Sequence, residues 1–329
     1  MIDRIYVEDD VRDHPRTREV LERFSHAAVI PCERYGEVFN RAAQNFRLQK
    51  RKPALILARK FENFVLETPA GYGIGDQKNY YFSHMLNCLY DCRYCFLQGM
   101  YRSANYVLFV NFEDFADAIR NQVKADEGVP ATYFSGYDCD SMVFESITGF
   151  ARMFVPLFAE LPHAQLELRT KSVQTKLFQE LPVVEGVVVA CSLTPTETAA
   201  QLEHGAPPVA ARIKALARIA QLGWAVGLRF DPLIYTRDYR DQYRRLMDEV
   251  FAAIPAASVH SASWGALRYP KGMLDRITRL YPDEPLFAGA LQGKQATGSY
   301  PPDVEVEIVD YVRGLLHERM DANRLCPCG

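Results

Sequence analysis

Cys88-Leu89-Tyr90-Asp91-Cys92-Arg93-Tyr94-Cys95-Phe96-Leu97-Gln98 is the stretch on which the reading of this chain turns. Its cysteines stand at C-x3-C-x2-C spacing, directly after the run Tyr80-Tyr81-Phe82-Ser83-His84-Met85-Leu86, which reads as a strand ending in a loop. Thiolates so close in sequence can converge on one soft metal centre. Three ligands rather than four are informative. A 4Fe–4S cube has four irons, so three cysteines leave one iron free to bind something else. A disulfide framework fits poorly, because the set is odd and nothing suggests secretion. A structural zinc site remains open; it needs a fourth ligand, which His84 or a distant cysteine could supply.

Outward from that loop, the 329 residues allow one large domain with additions or two smaller ones. A composition of 48% hydrophobic and 24% charged residues is that of a globular chain with a sizeable core. The net charge of −3 gives no global basic character, so any nucleic-acid contact needs a local patch. No apolar run approaches the roughly 18 residues of a membrane span. The charged start, MIDRIYVEDDVRDHPRTREVLERF, lacks the apolar core of a signal peptide, so the chain is expected to be cytoplasmic. In that compartment eight cysteines favour metal or redox chemistry over disulfides.

Upstream of the loop, residues 16–26 read as a helix and 27–30 as a short strand, with Cys32 a plain buried thiol. Arg41, Arg47, Lys50, Arg51, Lys52, Arg59 and Lys60 are interleaved with Phe39, Phe46 and Phe61. They read as a solvated face or as a nucleic-acid surface. Gly71-Tyr72-Gly73-Ile74-Gly75 is a glycine loop with no clean helix after it, so it is not a dinucleotide fingerprint.

Downstream the chain alternates. Strands are predicted at 106–110, 131–135, 165–169, 186–192, 225–230 and 258–262, with helices at 112–125, 144–161, 173–181, 209–222 and 241–253. Alternation of this kind means a parallel sheet with right-handed crossovers. About six such units fall short of a full eightfold barrel. Active sites in such sheets lie at the carboxyl ends of the strands, and the cysteine loop follows the first strand of the array.

C-x3-C-x2-C with an aromatic residue before the last cysteine resembles the cluster loop of radical S-adenosylmethionine (SAM) enzymes. The longer string CLYDCRYCFLQGMYRSANYVLFVNFEDF resembles spore photoproduct lyase and its relatives, and the likeness runs from about Ala54 to Tyr281. It implies an α/β fold, a partial (β/α)6 TIM-type barrel of the radical SAM type with N- and C-terminal extensions. The expected division is 1–75 for the N-terminal extension with its basic segment, 76–265 for the barrel and 266–329 for the C-terminal extension.

The resemblance also implies a chemistry. Cys88, Cys92 and Cys95 would bind a 4Fe–4S cluster whose free iron chelates SAM. Reductive cleavage then yields a 5′-deoxyadenosyl radical that abstracts a hydrogen atom. A one-electron donor such as a flavodoxin or ferredoxin is the implied partner, and DNA is the candidate macromolecular one. Aligned through Ile147-Thr148, Asp140 matches the family's aspartate, and Cys139 matches a serine that contacts SAM there. Lys171 in Arg169-Thr170-Lys171 matches a lysine contact to SAM, and Ser192 in Ser192-Leu193-Thr194 a ribose or carboxylate contact. Glu203-His204-Gly205 also fits the family, with an architectural look. Arg229 and Asp231 alternate on one strand, so they either hold a polar substrate or pair with each other.

Departures concern the substrate. Tyr94 matches one tyrosine of the family's relay, but Phe96 replaces the other and has no O–H to give. Tyr137 stands where the family has its hydrogen-donor cysteine, with Cys139 two residues on. Tyr94, Tyr137 and Cys139 are therefore the candidate catalytic residues. The family's basic, tyrosine-rich hairpin corresponds here to residues 288–300, which hold one lysine, Lys294. The thymine-dimer substrate consequently carries over less well than the cofactors, and a DNA lesion, a modified nucleobase and a non-nucleic-acid substrate are all candidates. After a helix at 304–319, the chain ends Leu325-Cys326-Pro327-Cys328-Gly329, whose two thiols either ligate a metal, relay hydrogen atoms or form a redox pair, or sit exposed on a mobile tail. The rival reading is a non-catalytic zinc- or nucleic-acid-binding protein on a degenerate radical SAM barrel.

Overall fold

Val187-Val188-Val189-Ala190-Cys191-Ser192 is buried at every position, as a strand covered on both faces must be. It lies inside an eight-stranded sheet of a computed structural model that describes residues 2–75, 77–289, 291 and 297–328. Lys78–Tyr81, Ala131–Phe134, Ala164–Thr170, Val187–Ser192, Ala225–Leu233 and Val259–Ala266 each run parallel to the next. This is the partial (β/α)6 barrel expected from the alternation. Leu66–Glu67 adds an antiparallel strand at one edge and Leu325–Pro327 a parallel one at the other.

A second sheet of five strands holds Arg4–Glu8, Ala28–Cys32, Leu55–Ala58, Tyr106–Phe109 and Met85–Leu86. Here the strand at 106–110 departs from expectation: it pairs with Leu55–Ala58 and is not a barrel strand. Asn105 Oδ1 accepts from Ala54 N at 2.9 Å, and Tyr106 N donates to Ala54 O at 2.9 Å, which fixes that register. The aromatic run before the cysteine loop is likewise divided. Lys78–Tyr81 stays in the barrel, whereas Met85–Leu86 turns into the second sheet. At the bend Ser83 Oγ donates to the Asp138 carboxylate, and His84 stacks on Phe150 with ring centroids 3.6 Å apart.

Phe82, Phe112, Phe150 and Phe154 pack within one core that spans both sheets. Each buried ring contributes about 1.5–3 kcal/mol of hydrophobic stabilisation. The helix expected at 144–161 is broken at Gly149, whose φ of 60° lies in the left-handed region. Glu145 then accepts from Ala151 N at 2.7 Å and Arg152 N at 3.0 Å, capping Phe150–Ala159 from the preceding turn. The helix expected at 173–181 shortens to Lys176–Glu180, because Ser172 N donates to Thr170 Oγ1 at 2.8 Å and holds the strand end in a turn.

Leu325–Pro327 corrects the reading of a mobile tail. After helix Pro302–His317 the chain returns to lie beside Val259–Ala266, and Cys328 is buried. Lys294, the one lysine of the hairpin comparison, lies outside the described residues. Among the described residues no helix is long and apolar enough to cross a membrane.

Candidate active site

The cysteine loop is held by backbone and side-chain bonds on every side. Its Asp91–Cys92 segment pairs antiparallel with Glu203–His204, and Arg93 N donates to Leu202 O at 2.8 Å. Lys50 Nζ donates to Cys88 O at 2.6 Å and Tyr90 O at 3.2 Å, bringing one residue of the basic segment inward onto the loop. Gln98 Nε2 donates to Asp91 Oδ1 at 3.0 Å, and Tyr281 O–H donates to Gln98 Oε1 at 2.8 Å. Other members of the basic segment pair locally: Lys52 with Asp3 at 3.6 Å and Arg59 with Asp114 at 3.1 Å.

Cys88, Cys92 and Cys95 line one cavity at the carboxyl ends of the barrel strands. Tyr94, Tyr137, Cys139, Asp140, Lys171 and Ser192 line the same cavity, so the residues expected to hold the cluster, hold SAM or carry catalysis meet there. Burial pushes the Cys88 thiol up to about 12 and raises Cys92 and Cys95 as well. Metal ligation at these thiols would therefore release protons. Among the described residues no three His, Cys, Asp or Glu side chains are grouped to hold a metal ion. Thiols that bind separate irons of a cube need not converge on one point, so the donor set fits a cluster better than a lone ion. His84, the candidate fourth zinc ligand, is committed to the core, where burial pulls its imidazole down to about 3.

Beside the loop, Glu203 gathers three partners. Tyr94 O–H and Arg212 Nη2 donate to its two carboxylate oxygens, and Lys171 Nζ stands 4.0 Å from Oε1. Burial opposes the Glu203 charge, but Lys171 and Arg212 outweigh it and hold the carboxyl below its ordinary range. Burial likewise opposes the Lys171 charge, and Glu203 raises that ammonium in spite of it. Arg212 Nη1 also donates to Ser192 O at 3.3 Å, tying a second strand end to the network.

Asp140 has a different look from a free ligand. Its carboxylate accepts from Thr170 Oγ1 at 2.6 Å, Met142 N and Val143 N at 2.9 Å, and Lys171 N at 2.7 Å. It staples the loop after Ala131–Phe134 to the end of Ala164–Thr170. Cys139 Sγ faces Ser135 O at 3.6 Å. Arg229 does not pair with Asp231 in the manner considered from the sequence. It is fully buried on Glu167, donating from Nη2 at 2.7 Å and from Nε at 3.1 Å. Asp231 lines the cavity, with Arg169 Nη1 at 3.8 Å.

Sequence reasoning missed four cavity or near-cavity groups. Lys50 was one cation in a basic run, and Glu203 was given only an architectural role. Arg268 carried no motif, and Tyr72 lay in the glycine loop set aside as no dinucleotide fingerprint; they line the cavity with the Arg268 guanidinium 4.5 Å over the Tyr72 ring. The glycine loop reaches the site because Arg268 Nη2 donates to Gly71 O.

The family profile described as spore photoproduct lyase matches residues 1–303. The chain belongs to the spore photoproduct lyase family. Within that family, spore photoproduct lyase of Bacillus subtilis (strain 168) is 21% identical over 304 residues, covering 90% of this chain and 87% of its own. A solved mutant of spore photoproduct lyase superposes with a TM-score of 0.85 at 14% identity, covering 99% of each chain. Another mutant, with bound AdoMet and dinucleoside spore photoproduct, gives 0.83 at 14% identity over 97% of this chain and 96% of its own. These structures share the radical SAM partial barrel, and family membership places the chain among enzymes of the radical SAM lyase type.

Proposed function

We propose that this spore photoproduct lyase family member is a radical SAM enzyme acting on a damaged or modified nucleobase. The observation that carries the reading is the meeting of Cys88, Cys92 and Cys95 with Lys171 and Ser192 around one cavity at the strand ends. Lys171, 4.0 Å from Glu203 and on the same cavity as the cysteines, supplies a cation for a carboxylate ligand that a zinc site does not require. When bound, a 4Fe–4S cluster and SAM supply a 5′-deoxyadenosyl radical that abstracts a hydrogen atom from the substrate.

The chain's own residues do the rest. Cys88, Cys92 and Cys95 hold the cluster on a loop that Lys50 and Glu203–His204 keep in place. Lys171 presents a positive charge to the carboxylate of SAM, and Ser192 a hydroxyl to its ribose or carboxylate. Cys139 packs as a small wall of the same site, while Asp140 keeps the two strand-end loops together. Tyr94 donates its O–H to the Glu203 carboxylate and so stands as a positioning residue for Lys171. Tyr137, at the far wall, has the O–H from which a hydrogen atom can be drawn. Buried walls around these groups exclude water from a reactive intermediate.

Phe134, Tyr137 and Tyr72 form an aromatic wall beside Arg169 and Arg268. Flat rings with guanidinium neighbours suit a splayed nucleobase and its phosphate. The electron would come from a flavodoxin or ferredoxin. The test is to incubate the anaerobically reconstituted chain with SAM, dithionite and dinucleoside spore photoproduct, following 5′-deoxyadenosine and the dinucleoside together. Coupled loss of the dinucleoside supports the nucleobase reading. Formation of 5′-deoxyadenosine that no photoproduct or irradiated oligonucleotide accelerates would move the substrate to another class.

A further inference from the structure

The C-terminal strand brings the Cys328 thiol into a buried cluster with Ile74 and Phe134, behind the cavity-lining Tyr137. Cys328 N donates to Trp264 O at 2.9 Å, one strand-end away from the site. Gly265 makes the approach possible: a Cβ there would overlap the Cys328 carbonyl oxygen and stand 3.2 Å from the Cys328 Cβ. Arg268, which lines the cavity, donates to Cys328 O at 3.2 Å and to Gly71 O, clamping the tail to the glycine loop.

Cys328 meets Tyr137 in this clamp. Ile74, Phe134 and Cys328 form one buried cluster against which Tyr81, Tyr137 and Cys326 pack. The Tyr137 O–H donates to Tyr72 O, and the Cys328 Sγ lies 3.9 Å from Gly73 O and 4.0 Å from Cys326 O. Thiol and phenol thus both reach neighbouring carbonyls of the same glycine loop. Tyr137 faces the cavity on its other side and is stacked on Tyr81 with centroids 4.9 Å apart.

We propose that Tyr137 and Cys328 form a two-step hydrogen-atom relay into the cavity, an inference that rests on the radical reading above. A carbon radical in the cavity takes the hydrogen atom of Tyr137: the O–H bond breaks, a C–H bond forms, and a phenoxyl radical remains. Cys328 then restores the phenol: the S–H bond breaks, the O–H bond re-forms, and a thiyl radical remains. One electron from the ferredoxin- or flavodoxin-type reductant and one solvent proton return the thiyl to S–H. Phenolic O–H and thiol S–H bonds are of similar strength, and both are weaker than an aliphatic C–H bond. The first transfer is therefore downhill and the second nearly balanced.

The experiment needs no substrate. The reconstituted full chain is given SAM and dithionite in D2O, and the deuterium content of 5′-deoxyadenosine is read by mass spectrometry over several turnovers. Cys328→Ser and Tyr137→Phe should each lower that content roughly threefold or more relative to the parent chain, with Cys32→Ser matching the parent. Gly265→Ala keeps thiol and phenol but displaces the tail, so it should lower the content as well. Deuterium content unchanged in Cys328→Ser and Gly265→Ala, or lost only in Cys139→Ala, overturns the relay. A parent chain that makes no 5′-deoxyadenosine contradicts the radical reading instead.

A second arm uses the chain without cofactors. Cys328 should resist alkylation by iodoacetamide, and Gly265→Ala should speed its reaction roughly tenfold by freeing the tail. A parent Cys328 that reacts as fast as an exposed thiol removes the docked tail and the relay with it.

Discussion

Lys171 Nζ stands 4.0 Å from Glu203 Oε1 while Tyr94 and Arg212 donate to the same carboxylate. One buried anion therefore holds two cations and a phenol beside the cysteine loop. The Glu203 backbone also pairs with Cys92, so the charge network and the loop share one support.

Glu203→Gln should leave Lys171 and Arg212 without their anion. Breaking one partner of a buried pair costs about 3–5 kcal/mol. The expected outcome is a clear fall in Tm together with weaker SAM binding, measured by thermal denaturation and by equilibrium dialysis. Tyr94→Phe keeps the anion and should be milder on both counts.

Lys50 is the next test of the loop. Its ammonium donates to the Cys88 and Tyr90 carbonyls, and hydrogen bonds to charged groups contribute about 1.5–3 kcal/mol. Lys50→Met should retain the fold by circular dichroism yet lose iron faster to a chelator after reconstitution. Lys50→Arg should recover part of the retention. Equal iron retention in all three would show that the clamp is not needed.

Inside the barrel, Glu167 is flanked by Arg229 and Arg169. Burial works against its charge, but the two guanidinium groups hold the carboxyl down at about 2, against an ordinary 4.5. The folded state therefore gains stability from the carboxylate above pH 4.5 and loses it as the pH falls through about 2. Glu167→Gln should lower Tm at neutral pH, and the gap between parent and variant should narrow as the pH falls through this window. A gap independent of pH would contradict the assignment.

The barrel was legible because its strands are buried on both faces and read as apolar runs, as in Val187–Ser192. Tyr106–Phe109 is likewise buried at every position and joined the other sheet. Periodicity cannot say which sheet covers a strand; the Asn105 bond to Ala54 does. Cys88, Cys92 and Cys95 were legible because three ligands lie within one loop. Lys171, Ser192 and Tyr137 came from the family resemblance at strand ends. Cys328 was visible as a candidate thiol but its docking was not, since its partners Tyr137 and Gly73 are far away in the chain and nothing near it in sequence announces a strand. Lys50 was hidden for the opposite reason: its neighbours are also cations, and only the fold separates the inward one from the solvated rest.

The most direct measurement is anaerobic reconstitution with iron and sulfide, followed by iron analysis and an assay for 5′-deoxyadenosine after adding SAM and dithionite. The expected result is four irons per chain, as a 4Fe–4S centre requires, with 5′-deoxyadenosine formation lost in Cys88→Ala, Cys92→Ala and Cys95→Ala. Zinc uptake by the loop, or SAM left intact by a fully iron-loaded chain, would contradict the account.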